Sequence, residues 1–189
     1  VSVIVYRNGV LAADTRMTVE TEAGGSVLHK CDKLYALDKS QLGRVIVGLA
    51  GGSFDGLAFL DWLRGSDEKP PERLIDGDAD FSALVLTENN RLYEFDKWCR
   101  KDAIKAKFYA IGSGAKAALG ALHMGASAYM AVKVACKIDP YCAVPVRAMR
   151  IAEIAQPRPR AVRRARSTPS PEQKSSGQAE PARLKTEAD

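Results

Sequence analysis

Four polar features stand out against an apolar frame in this 189-residue chain, and together they suit acyl chemistry. Ser2 places a hydroxyl at the very start. If it is the first residue, its α-amine, with a pKa of about 8 in model peptides, is close enough to neutral to act as a general base. Nucleophile and base then arrive on one residue. Such a site needs a cation to favour the alkoxide and lower the amine's pKa, an anion to hold that cation, and backbone N–H groups for the oxyanion. Lys30 in "HKCDKLY", Asp14 in "LAADTR" and the "GLAGG" turn offer those three. Taken singly, each has an ordinary reading: a surface lysine, a solvated strand-end carboxylate, turn glycines. A fourth stretch, "IGSG", repeats the strand-to-helix turn, but "GSGAKAALG" lacks the spacing of a phosphate-cradling loop.

The elements that must position these groups follow from patterning. Ser2–Tyr6 and Val10–Asp14 read as strands joined at "RNG", where Asn8 and Gly9 tolerate positive φ. "KLYAL" and "RVIVGLAG" read as two more strands. "SFDGLAFLDWLR" is helical, with Phe54, Leu57, Leu60 and Leu63 on one face and Ser53 placed to cap it. "FSALVLTENNRLYEFD" is a second hairpin around Glu88-Asn89-Asn90. "FYAIG" is a strand running into the helix of "SGAKAALGALHMG", with Ser113 near its start. "SAYMAVKVACKID" is a further helix stopped by Pro140, and "AVPVRAMRIA" a closing strand. Strands grouped around paired helices predict an α+β architecture of two sheets packed face to face with helices outside.

Composition narrows the class. The length suits one ordinary domain with a substantial core. No apolar run reaches the ~20 residues needed to span a bilayer, and nothing reads as an export leader. Four cysteines without a CxxC pair, and two histidines, do not suggest zinc; reduced thiols are expected. The net charge of +5 comes mostly from the end of the chain, where eight basic residues stand against four acidic ones after Gln156. A nearly neutral body with a basic tail argues against a nucleic-acid-binding domain. Residues 1–155 are expected to form the domain. Residues 156–189, rich in Pro, Ser, Arg and Ala, are expected to be a disordered tail.

The motifs, taken in order, resemble the proteasome-type β-subunits, the HslV-like bacterial members and bacterial proteasome homologues above all. The resemblance is carried by the opening hairpin with "GVLAAD", the lysine of "HKCDKLY", "VGLAGGSFD", "AIGSG" and "DPYC", and it covers residues 1–150. It implies the four-layer αββα sandwich of N-terminal-nucleophile hydrolases, assembled as two stacked rings around a chamber. Residue by residue, it implies that Asp14 orients the catalytic lysine, that Lys30 is that lysine, and that the Gly51 N–H lines the oxyanion hole. Ser113 and Asp139 would hydrogen-bond around the N-terminus, with Cys142 where many members have serine. Met17, Leu28, Asp32, Leu49 and Ser53 would line a specificity pocket with no sharp side-chain preference.

The chain departs from the family at its start, where Val1-Ser2 stands in place of a leading threonine. Aligning the "YRNG" turn puts Ser2 at the nucleophile. Val1 then reads as an initiator, a GTG codon translated as Met and removed to expose Ser2. If Val1 is instead retained, Ser2 is an ordinary strand residue and the protein is inactive. The expected function is a cytoplasmic, self-compartmentalising peptidase for unfolded polypeptides. It would need no metal or cofactor, and would work with itself in rings and with an ATP-driven unfoldase. The rivals are a small-amide hydrolase of the same fold and a catalytically silent ring protein that binds or scaffolds.

Overall fold

The opening hairpin forms as its turn chemistry dictates. Strands β1 (Ile4–Arg7) and β2 (Val10–Ala13) pair antiparallel with Arg7 opposite Val10. The two residues between them, Asn8 and Gly9, both take positive φ, 51° and 74°, which matches the twist of the flanking strands. This is a computed structural model; it describes residues 2–20, 26–65, 69–71 and 81–154, without the side chains of Glu20 and Ser53. Val1 and the tail from residue 156 lie outside the described residues.

The hairpin sits in the middle of a sheet, and this holds the start of the chain in place. Strand β10 (Phe108–Ile111) pairs with β1 on one side and β11 (Arg147–Arg150) with β2 on the other, giving the order β10-β1-β2-β11. A five-stranded antiparallel sheet has the order β5-β6-β7-β8-β9, from β5 (Leu34–Leu37), β6 (Val45–Gly51), β7 (Phe81–Thr87), β8 (Leu92–Phe95) and β9 (Lys101–Ile104). Strands β3 (Arg16–Glu20) and β4 (Ser26–Lys30) form a separate two-stranded ribbon.

Alternation along the strands sorts side chains between apolar clusters, since neighbours point to opposite faces. Val3 and Val5 join Ala12 and the helices α2 (Ala115–His123) and α3 (Ala128–Ile138), through Ala118, Leu122, Ala131, Val132 and Ala135. Ile4, Tyr6, Leu11 and Ala13 instead meet Leu34, Ile46, Leu84 and Leu86 of the five-stranded sheet. The other face of that sheet, with Val45, Val47, Ala83 and Val85, packs on Phe59, Leu60 and Leu63 of helix α1 (Ser53–Arg64). Among the described residues no helix is long and apolar enough to cross a membrane.

The α+β class expected from the sequence is present, and four details differ. The β3–β4 ribbon and β9 were not expected, because β4 and most of β9 are exposed and carry no burial-driven alternation. Helix α1 buries Phe59, Leu60 and Leu63, while Phe54 and Leu57 are 73% and 48% exposed. Its N-cap is Gly52, which puts Ser53 at the first helical position. The last strand stops at Arg150 and turns into a short helix α4 (Ile151–Ile154).

Candidate active site

Asp14 organises the site. It is fully buried just after β2 and is met by four donors. Its Oδ1 accepts from the Val3 N–H at 3.0 Å and from Lys33 Nζ at 2.7 Å; its Oδ2 accepts from the Arg16 N–H at 2.9 Å and the Ala143 N–H at 3.3 Å. One carboxylate thus ties together the start of β1, the start of β3, the loop after α3 and a buried cation. A charge so deeply placed is tolerated because hydrogen bonds and a counter-ion replace its hydration.

The cation is Lys33 rather than Lys30. Lys33 is 6% exposed and pairs with Asp14. Lys30 is the last residue of β4, on the exposed ribbon, with Arg16 as its register partner. The ribbon explains the correction. It carries the chain outward and back, and residues 31–33 then lead into the five-stranded sheet. There the Lys33 carbonyl accepts from the Leu49 N–H at 2.9 Å. The two lysines stand three apart in "KCDK", so placing the cation requires knowing where the ribbon ends.

Ser2 is 3% exposed, and its surroundings account for "IGSG". Its carbonyl accepts from the Gly114 N–H at 3.3 Å and from the Ser113 hydroxyl at 3.4 Å. Gly112 has φ of +92°, and a Cβ there would lie 2.2 Å from the Ser2 carbonyl oxygen. A Cβ on Gly114 would lie 2.9 Å from Cys142 Sγ and 3.0 Å from Val3 Cβ. Both glycines are therefore needed for the backbone to approach this closely.

Asp139 caps the C-terminus of α3 and gathers the loop behind Ser2. Burial alone would raise its pKa, but hydrogen bonds from the Ser113 hydroxyl, the Tyr141 N–H and the Cys142 thiol hold it below the usual carboxylate value. Cys142 is pushed the other way, to about 12, chiefly by burial and then by the charges of Asp14 and Asp139. It is a neutral thiol donor in this network rather than a nucleophile.

Ser2 and Gly51 line two cavities. One, of about 310 Å³, is walled by Met17, Cys31, Leu49 and Leu57 together with Arg16, Thr18, Asp32, Lys33, Tyr35 and Gly52. The other, of about 330 Å³, is bounded by Ala50, Phe81, Ser82, Gly112 and Ser113. Gly51 ends β6 with φ of +99°. Of the expected pocket residues, Met17, Asp32 and Leu49 line the first cavity. Leu28 points outward from the exposed β4 and does not, since the ribbon turns it to solvent. The Ser53 side chain lies outside what the structure describes. Arg16, Cys31 and Lys33 join the site without having been expected there.

No protein-family model matches this sequence, and no curated protein does. Solved structures do match. Eukaryotic HslV from Trypanosoma brucei aligns over 79% of this chain and 98% of its own, with a TM-score of 0.55 and 17% identity. Thiobacillus denitrificans BPH in complex with epoxomicin covers the same shares at 0.53 and 18%. The fold is that of the proteasome β-type subunits. Anbu, an ancestral β-subunit from Yersinia bercovieri, aligns over 79% of this chain and 81% of its own, with a TM-score of 0.59 and 12% identity. These proteasome-type neighbours differ enough in sequence that the likeness speaks to the N-terminal-nucleophile fold and not to one member of it.

Proposed function

We propose that this protein is a proteasome-like peptidase that uses Ser2 as an N-terminal nucleophile once whatever precedes Ser2 has been removed. The observation that carries the reading is the buried Lys33–Asp14 pair beside a Ser2 whose carbonyl is held by the 112–114 turn. Ser2 Oγ attacks the scissile carbonyl while its proton passes, through water, to the Ser2 amine. The Gly51 N–H receives the oxyanion. The amine then returns the proton to the leaving amine, and water hydrolyses the Ser2 ester with the same amine as base. Lys33 stabilises the developing alkoxide, Asp14 fixes Lys33, and Ser113 with Asp139 steadies the backbone around Ser2. Lys33 takes the role that the sequence pattern gave to Lys30.

The room in two cavities that both reach Ser2 and Gly51 supports a polypeptide substrate over a small amide. The three apolar clusters support the four-layer αββα arrangement. The proposed working form is two stacked rings acting on unfolded chains in the cytoplasm, fed by an ATP-driven unfoldase.

An uncleavable N-terminal extension tests this reading. It turns the Ser2 amine into an amide with no basic lone pair, so peptide hydrolysis should vanish. A removable extension that releases Ser2 should restore it. Ser2→Thr should then be active and Ser2→Ala inactive. Full activity in the extended protein would replace the N-terminal mechanism with a plain Ser–Lys pair.

A further inference from the structure

Tyr6 lies on β1 four residues beyond Ser2, about 13 Å along an extended strand, and is 7% exposed. A phenol this deeply buried ordinarily finds a hydrogen-bond partner for its O–H. Its register partner Tyr109 donates to Glu94, and Tyr35 donates to the Asp32 carbonyl. The Tyr6 hydroxyl has no such partner among the described residues. What faces Tyr6 instead is a cavity of about 420 Å³, within the size range of small-molecule sites.

The cavity opens where β8 begins and β9 ends. Leu92 and Ile104 stand opposite one another there and pack in the same apolar cluster as Tyr6, so the inner wall is apolar. Arg91 and Lys105 follow the two strands outward and form an exposed rim. The backbone of Arg91 is fixed, its N–H donating to Thr87 Oγ1 at 3.2 Å and its carbonyl accepting from the Thr87 N–H at 2.9 Å. Neither the Arg91 guanidinium nor the Lys105 ammonium has an ion-pair partner among the described residues. No carboxylate belongs to the described residues that line the cavity, and Glu94 of β8 is engaged by Tyr109.

We infer that this cavity binds a small organic carboxylate with a short, branched apolar body. One carboxylate oxygen accepts from the Tyr6 hydroxyl, Arg91 and Lys105 balance the charge from the rim, and the body covers Leu92 and Ile104. An anion buried beside Tyr6 exchanges its hydration for a donor and two cations, which a neutral ligand would leave unused. Inorganic phosphate would suit the rim but leave the apolar wall uncovered, and its second charge raises the cost of burial. The cavity shares no lining residue with the two beside Ser2 and does not depend on the peptidase reading.

The test titrates the full chain by ligand-observed NMR with 4-methylpentanoate, its neutral counterpart 4-methylpentanamide, and inorganic phosphate. The carboxylate should bind tightest, with the amide weaker by about 10-fold or more, as for loss of a charge-assisted hydrogen bond. Arg91→Gln and Lys105→Gln should each weaken the carboxylate, whereas Lys116→Gln, on α2 and outside the cavity, should not. Tyr6→Phe should weaken it about 5-fold without lowering the melting temperature, because the hydroxyl has no protein partner to lose.

Equal binding of acid and amide, or tighter binding of phosphate, would overturn the carboxylate assignment. Weakening by Lys116→Gln as large as that by Lys105→Gln would reduce the effect to diffuse surface charge and overturn the site. A lower melting temperature in Tyr6→Phe would show that the hydroxyl is spent within the fold, and absence of binding by all three probes would overturn the proposal outright.

Discussion

Lys33 Nζ lies 2.7 Å from Asp14 Oδ1, with the two side chains 6% and 0% exposed. Asp14 also accepts from the backbone of Val3, Arg16 and Ala143. The pair is a structural tie as much as an electrostatic one, and this gives Asp14 substitutions a stability signature.

Asp14→Ala leaves the Lys33 charge buried without its carboxylate and frees three backbone donors. The expected loss is about 3–5 kcal/mol of unfolding free energy, together with loss of hydrolysis. Denaturant unfolding of the full chain checks this. A stability within about 0.5 kcal/mol of wild type, the range usual for surface substitutions, would mean that the carboxylate is not held as described.

Gly112→Ala should misplace Ser2, because its Cβ would meet the Ser2 carbonyl oxygen at 2.2 Å and its φ is +92°. Lower stability and loss of turnover should appear together. Gly120→Ala, in the middle of α2 with nothing within 4 Å of the new methyl, is the control. It should be neutral or stabilising by up to about 1 kcal/mol. Thermal melts and peptide hydrolysis on both variants distinguish close approach from a generic glycine effect.

Much of this was legible in the sequence, for definable reasons. Asn8-Gly9 announces its turn chemically, and the apolar runs of β6 and β7 are long enough to declare themselves. The resemblance carried by "LAAD", "GLAGG" and "IGSG" implies roles for Asp14, Gly51 and Ser113, and the structure brings these residues to the surroundings of Ser2 and Val3. Choosing between Lys30 and Lys33 was beyond it. That choice depends on a solvent-exposed ribbon whose strands carry no burial signal, and it shifts the buried cation by three residues. The inward face of α1 was misread because apolar Phe54 and Leu57 share helical spacing with Leu60 and Leu63 but lie on its exposed first turns.

Away from the site, Tyr109 donates to Glu94 Oε2 at 2.8 Å. This hydrogen bond first, then burial and nearby negative charge, raises the phenol pKa to about 12 from an ordinary 10.0. The raised value means that the fold favours the neutral phenol. Its contribution is fully present below pH 10 and is lost as pH climbs from about 10 to 12. Tyr109→Phe should remove that component and flatten the stability profile across this window. Melting temperatures of both proteins between pH 9 and 12 measure it, and parallel curves would contradict the coupling.

The most direct measurement compares Lys33→Ala with Lys30→Ala in protein carrying a free Ser2 amine, using initial rates of peptide hydrolysis. Lys33→Ala should lose on the order of 10²-fold or more in kcat, as expected for removal of an electrostatic catalytic group, while Lys30→Ala stays near wild type. Lys33→Arg keeps the buried charge and should fold, yet recover little activity, because a forked guanidinium does not replace a compact ammonium. Near-normal turnover in Lys33→Ala, or an inactive Lys30→Ala beside an active Lys33→Ala, would contradict the account.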